Sequence, residues 1–298
     1  MLNIILSSIS QGFLWAVMAI GVYIMYRILD IADLSAEGTF PLGAVVAARA
    51  IAAGLSPWLA IVLSLAAGMI TGILAGFLHT KMKIPGLLTG ILILTGLYSI
   101  NLRVLGAPNI TLLGKETVIS QLRTIIDDRN VAALILGITV TLIITLMLIL
   151  FLKSELGLAL RATGANEVMA VANAIATDSM KIIGYALSNG IIALSGALLA
   201  QNYGYADVGM GIGTIVIGLA SIIIGERLLG TSSLSRSLLA VVFGAVIYRV
   251  VIDAVLYLGV NPQDIKLYSA IVLAIVLWLG HRTQDNNSRK GKSYVAQT

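Results

Sequence analysis

Leu160 to Lys181 reads LRATGANEVMAVANAIATDSMK. It separates VAALILGITVTLIITLMLILFL, Val131 to Leu152, from IIGYALSNGIIALSGALLAQ, Ile182 to Gln201. Apolar runs of about twenty residues are long enough to cross a bilayer as helices. The polar stretch between them is then a connection at one membrane face. It has a pattern of its own. Gly164 and Ala165 read as a turn, Asn166 is a good N-cap, and Glu167 falls in the first turn, where the helix dipole favours an acid. Val168, Met169, Val171, Ala172 and Ile175 follow at helical spacing. The reading is a short amphipathic helix bounded by Arg161 and Lys181. A helix of that length is marginal alone. It must pack under its own bundle, lie in the headgroup layer, or find some other surface.

Composition says the same of the whole chain. Of 298 residues, 58% are hydrophobic and 11% charged, where a soluble domain carries about 25% charged residues. So few polar residues cannot cover a soluble globule of this length. Cysteine is absent, which excludes disulfides, thiolate nucleophiles and cysteine metal sites. The two histidines, His79 and His281, are far apart and each lies at a span end, so no histidine metal site is expected. The net charge of +5 suits cytoplasmic loops of a membrane protein better than nucleic-acid binding. The first apolar run has no basic n-region and is too long for a cleaved signal, so it reads as a retained span.

Nine spans are expected, at roughly 4–26, 38–54, 57–79, 85–101, 131–152, 182–202, 208–225, 237–259 and 265–280. Together they make one all-α polytopic domain over residues 1–282, with a polar cytoplasmic tail over 283–298. Pro57, Pro85 and Pro262 sit near span starts, where a missing N–H costs least. Pro41 lies inside the second segment, which could be broken or re-entrant if its freed backbone groups face protein or water. One set of connections carries Arg27, Lys81, Lys83, Lys153, Arg161, Lys181, Arg227 and Arg236, and the tail adds Arg282, Arg289, Lys290 and Lys292. The opposite side holds Arg103, Lys115, Arg123, Arg129 and Lys266. Twelve against five places the first set in the cytoplasm, with the N-terminus outside and the C-terminus inside. Gly68, Gly72 and Gly76 share one helix face, where a neighbouring helix can approach closely.

Ionisable groups inside the spans are few, and each is a functional suspect. Glu37 lies at the mouth of the second segment, where it could cap backbone N–H groups freed near Pro41 or line a path with Gly38 and Gly43. Arg249 and Asp253, four residues apart, can pair on one helix face, as a buried structural pair or as cavity lining. Asn189 and Ser195 could line a path or bond between helices. No G-x-x-x-x-G-K-[ST] motif occurs, and GIGTIVIG, Gly211 to Gly218, lacks the lysine. There is no catalytic constellation and no metal set, so the chain is not expected to be an enzyme.

The segment from Gly157 to Gln201 resembles one shared by bacterial ABC importer permeases of the branched-chain amino acid and ribose type. Gly157, Arg161, Gly164, Asn166 and Ala170 fit the pattern, with Ala165 inserted between the Gly and the Asn. A second match, DIADLSAEGTFPLGAVVAA from Asp30 to Ala48, is carried by Asp33, Leu34, Ser35, Gly43 and Ala44. EGTFPLGA is closest to the branch of permeases for tryptophan or tyrosine import. The resemblance implies a multi-pass permease of the bacterial plasma membrane whose Asn166–Ala176 helix is a cytoplasmic coupling helix. It further implies docking of two ABC ATPase subunits, a second permease copy, and an extracytoplasmic binding protein that delivers a small solute, an amino acid. The chain itself would bind no cofactor; ATP and Mg would sit on the partner ATPases. The alternative is an ion-coupled secondary transporter, which needs an acid or His near mid-membrane. Asp253, with Arg249 beside it, is the candidate on sequence grounds.

Overall fold

The computed structural model describes residues 2–259, 264, 267–271 and 274. The expected span at 265–280, for the most part, and the tail at 283–298 lie outside the described residues. Helix α1 (Leu2–Tyr23) continues as a π turn, Ile24–Ile28. There follow α2 (Ala36–Ala52), α3 (Pro57–Thr80), α4 (Gly86–Leu105), strand β1 (Asn109–Thr111), α5 (Val118–Leu122) and α6 (Arg129–Lys153). Then come α7 (Glu155–Ala165), α8 (Glu167–Ala172), α9 (Thr177–Tyr203), strand β2 (Tyr205–Asp207), a 3₁₀ turn (Val208–Gly211), α10 (Thr214–Leu229) and α11 (Leu234–Tyr257).

Seven segments among the described residues are long and apolar enough to cross a membrane: Ile5–Ile28, Pro57–Thr80, Gly86–Leu105, Arg129–Lys153, Thr177–Tyr203, Val208–Leu229 and Leu234–Tyr257. Each coincides with one of the nine expected from sequence. The segment expected at 38–54 is α2, whose 17 residues reach about 26 Å, short of a hydrocarbon core of about 30 Å.

Local chemistry explains the boundaries. Ser56, Ser154 and Ser233 cap α3, α7 and α11 by accepting from the N–H groups of Leu59, Gly157 and Arg236. Gly106 and Gly204 end α4 and α9 in the left-handed conformation that favours glycine. The small sheet departs from the all-α expectation. β1 and β2 pair antiparallel, joining the loop after α4 to the end of α9.

Helix α9 is the axis of the bundle, enclosed by α1, α2 and α3. The glycine face of α3 lies against it. A side chain at Gly72 would collide with the Tyr185 carbonyl, and one at Gly76 would come within 2.8 Å of the Ile182 backbone. A Cβ at Gly196 of α9 would strike the Phe40 carbonyl of α2. The α7–α8 connection and the ion pairs Lys81–Asp178 and Arg27–Glu226 lie at one end, called here the basic end. The sheet, and Arg129 donating to the Asn202 carbonyl, mark the opposite end.

Helices α2 and α10 are both short, and they diverge from one interior point. From the basic end, residues 29–35 run non-helical into the bundle, starting with Asp30 at φ 54, and α2 then runs to the opposite end. From that opposite end the 3₁₀ turn dips inward, and α10 runs back to the basic end. The interruption expected around Pro41 therefore lies ahead of α2, at 29–35. Pro41 itself stays helical. It leaves the Glu37 carbonyl without its usual N–H partner, and Gly211, having no side chain, fits against that carbonyl and the proline ring.

Candidate functional site

Two regions collect the residues singled out from sequence. The first is at the basic end. Asn166 caps α8 as expected, its Oδ1 accepting from Met169 N–H at 3.0 Å. Ala170 and Ile175 turn toward the bundle. Val168, Met169 and Val171 do not: they are 80%, 61% and 58% exposed. Glu167 reaches back to Lys181 at 2.6 Å, which ties α8 to the start of α9. Gly164 packs against the Ile28 carbonyl, and Gly157 against Leu152. Gly164 and Ala165, expected as a turn, are instead the last residues of helix α7, which runs from Glu155 to Ala165. Arg161 and Ala172 are exposed on this surface.

The second region is interior. Asn189, fully buried near the middle of α9, accepts through Oδ1 from Thr39 Oγ1 at 2.6 Å and lies 3.0 Å from Ser35 Oγ. Ser35 also donates to Asp33, its N–H to Oδ1 at 2.8 Å and its hydroxyl to Oδ2 at 2.6 Å. Glu37, in the first turn of α2, accepts through Oε1 from Gly213 N–H at 3.0 Å. It caps α10 across the interruption rather than N–H groups near Pro41. Gly38 faces Leu94 and Leu97 of α4, and Asn101 Nδ2 donates to the Gly38 carbonyl at 3.2 Å. Gly43 lies against the Ala193 carbonyl. A cavity of about 150 Å³ opens beside this cluster, lined by Asp33, Val22, Tyr26, Leu87, Ser188 and Ile192 among others.

The other candidates sit elsewhere. Ser195 is fully buried and donates to the Leu14 carbonyl at 2.8 Å, so it ties α9 to α1. Arg249 pairs with Asp253 at 3.1 Å and donates to Gln11 Oε1 at 2.6 Å. That group lies near the opposite end, with Tyr203 and Trp15 behind Gln11. Thus Glu37, Gly38, Gly43 and Asn189 come together, and Ser195, Arg249 and Asp253 stand apart. Asp33 and Tyr185 also belong to this interior region, and sequence alone does not mark either as a site residue. Asp33 was legible only as part of a motif, and nothing local marks Tyr185.

Comparison with known proteins gives this geometry a context. Residues 4–279 match the family described as branched-chain amino acid transport system / permease component. A tyrosine transport system permease protein of Clostridioides difficile is 39% identical over 277 residues, 93% of this chain and 91% of that protein. An uncharacterized protein of Rickettsia prowazekii is 36% identical over 280 residues, 93% of this chain and 97% of that one. A fructose import permease protein of Bifidobacterium longum is 25% identical over 272 residues, 87% and 73% of the two chains. With seven membrane-length apolar helices among its described residues and a match over nearly its whole length, the chain is a multi-pass membrane protein belonging to the permease-component family of branched-chain amino acid transport systems.

Proposed function

We propose that this chain is the membrane-spanning subunit of an ATP-binding-cassette importer for an aromatic amino acid. The observation that carries the solute is the 39% identity, over 93% of the chain, to a permease named for tyrosine transport. In this reading the basic end faces the cytoplasm, and a binding protein delivers solute to the opposite end. Two copies of the chain form the pathway, and two ATPase subunits, which hold ATP and Mg, dock at α8. The uncovered Val168, Met169 and Val171 support that docking. Their apolar surface suits a groove on a partner, in the manner of an amphipathic helix laid into a hydrophobic cleft. ATP binding then favours one bundle arrangement over another.

A second reading, an ion-coupled transporter, draws on Asp33, a partly buried carboxylate in the wall of the cavity between the helices. One experiment separates the two. Val168→Asp with Met169→Asp should abolish tyrosine uptake and release the ATPase from the purified complex, while the chain still inserts. A cysteine at Leu113, 89% exposed in the loop after β1, should label from outside the cell in this naturally cysteine-free chain. Unchanged ATPase binding with uptake that stops on collapse of the proton gradient would instead support ion coupling.

A further inference from the structure

The interior cavity has a wall that is almost wholly apolar, Val22, Met25, Leu87, Ile192, Ile215 and Leu219 among its members. Asp33 is the one carboxylate in that wall. A carboxylate offers about four acceptor sites; here Ser35 supplies two donors, and the Asn189 side chain adds a weaker one. The Ser35 hydroxyl has a single proton, and Asn189 Oδ1 at 3.0 Å competes for it. No Lys, Arg or His nitrogen among the described residues lies within 4.0 Å of Asp33. Ionising a carboxylate held among the helices without a counter-ion in contact is costly. A visiting cation would remove that cost.

A second polar group is unspent nearby. Tyr185 is fully buried, and its hydroxyl has no hydrogen-bond partner. It lies 3.4 Å from where a Cβ would stand on Gly86, and Ile31 and Ala32 of the cavity wall press on the same glycine. The size of the space also counts. About 150 Å³ is the volume of an apolar protein cavity that takes up a benzene ring. A ring-sized apolar space with an unpaired acid in its wall is matched to a molecule that has a ring at one end and a cation at the other.

Building on the transport reading above, we propose that this cavity holds an aromatic amino acid in transit, its ammonium group paired with Asp33 and its ring against the aliphatic wall. The solute's own carboxylate stays on the side of exposed Tyr26 and Ala32. The site discriminates by charge sign: an arylalkyl ammonium fits, and an arylalkyl carboxylate meets Asp33 as a like charge.

The test uses the absence of native cysteine. Ala32→Cys is introduced into the full chain, held in lipid nanodiscs, and modified with a cationic aminoethyl or an anionic sulfonatoethyl methanethiosulfonate. The rate advantage of the cationic reagent should be about tenfold greater than the advantage it shows with a free thiol, the factor that ~1.4 kcal/mol of local attraction supplies. Millimolar phenethylamine should slow the reaction, and 3-phenylpropionate should not. Asp33→Asn should erase both effects, and Asp33→Glu, which keeps the charge, should restore them in an equally monodisperse protein. A rate ratio no greater than with a free thiol, or equal protection by 3-phenylpropionate, overturns the site. If that happens while cells still import tyrosine through the intact transporter, the site falls and the transport reading stands. If phenethylamine protects and the cells import a different amine, the site stands and only the choice of solute changes.

Discussion

Helices α6 and α9 are both long enough to cross a membrane, and they sit in opposite surroundings. α6 is the more apolar, yet only 28% of its best membrane window is buried inside the protein; for α9 the share is 83%. In a soluble protein the order would be reversed. Lipid is as apolar as leucine, so packing between helices gains little from hydrophobicity and much from small residues and hydrogen bonds. α9 accordingly brings Gly184, Gly190 and Gly196 to its neighbours, with Ser188 bonded to the Gly21 carbonyl and Asn189 to α2. α6 presents Leu142, Leu146, Met147 and Leu150 outward. Hydropathy in this molecule marks what meets the bilayer, and polarity marks the core.

The sharpest way to break that comparison is to add volume where α3 meets α9. Gly72→Leu has no space beside the Tyr185 carbonyl and the Ala186 backbone at 2.7 Å, and backbone cannot move aside as a side chain can. Overpacking of this kind costs about 3 kcal/mol or more, so size-exclusion chromatography in detergent should show aggregated rather than monodisperse protein. A smaller effect comes from Asn189→Ala, which leaves the Thr39 hydroxyl without its acceptor and Ser35 with one partner fewer. Orphaned buried polar groups cost about 1–3 kcal/mol; thermal unfolding should shift down while the protein still purifies as a single species. The smallest effect should follow Leu146→Ala on α6, which is 55% exposed. Such a surface change stays within about 0.5 kcal/mol, and unfolding should be indistinguishable from the parent. A Leu146→Ala variant as unstable as Asn189→Ala would show that α6 packs on protein rather than lipid.

Much of this was readable in the chain itself. Spans appear as apolar runs because length and composition are local properties. Asn166 declared itself as a cap through its neighbours, and Arg249 and Asp253 pair as their spacing of four allows. What stayed hidden depends on residues far apart in sequence. Glu37 finds Gly213 across 176 residues, and Asn189 finds Ser35 across 154; no periodicity encodes such a meeting. α7 is hard to see in sequence because its short run from Glu155 to Ala165 holds two glycines, and it is held by packing of Gly157 and Gly164 against neighbours rather than by propensity. The strands β1 and β2, three residues each, are too short for alternation to show.

The joint between α2 and α10 has an electrical consequence. Two helix N-termini meet there, each equivalent to roughly half a positive elementary charge, and the Glu37 carboxylate stands between them, bonded to Gly213 N–H. The three contributions nearly cancel. The joint is therefore close to neutral locally, and its carboxylate sits inside the bundle at a smaller cost than a lone acid would carry there.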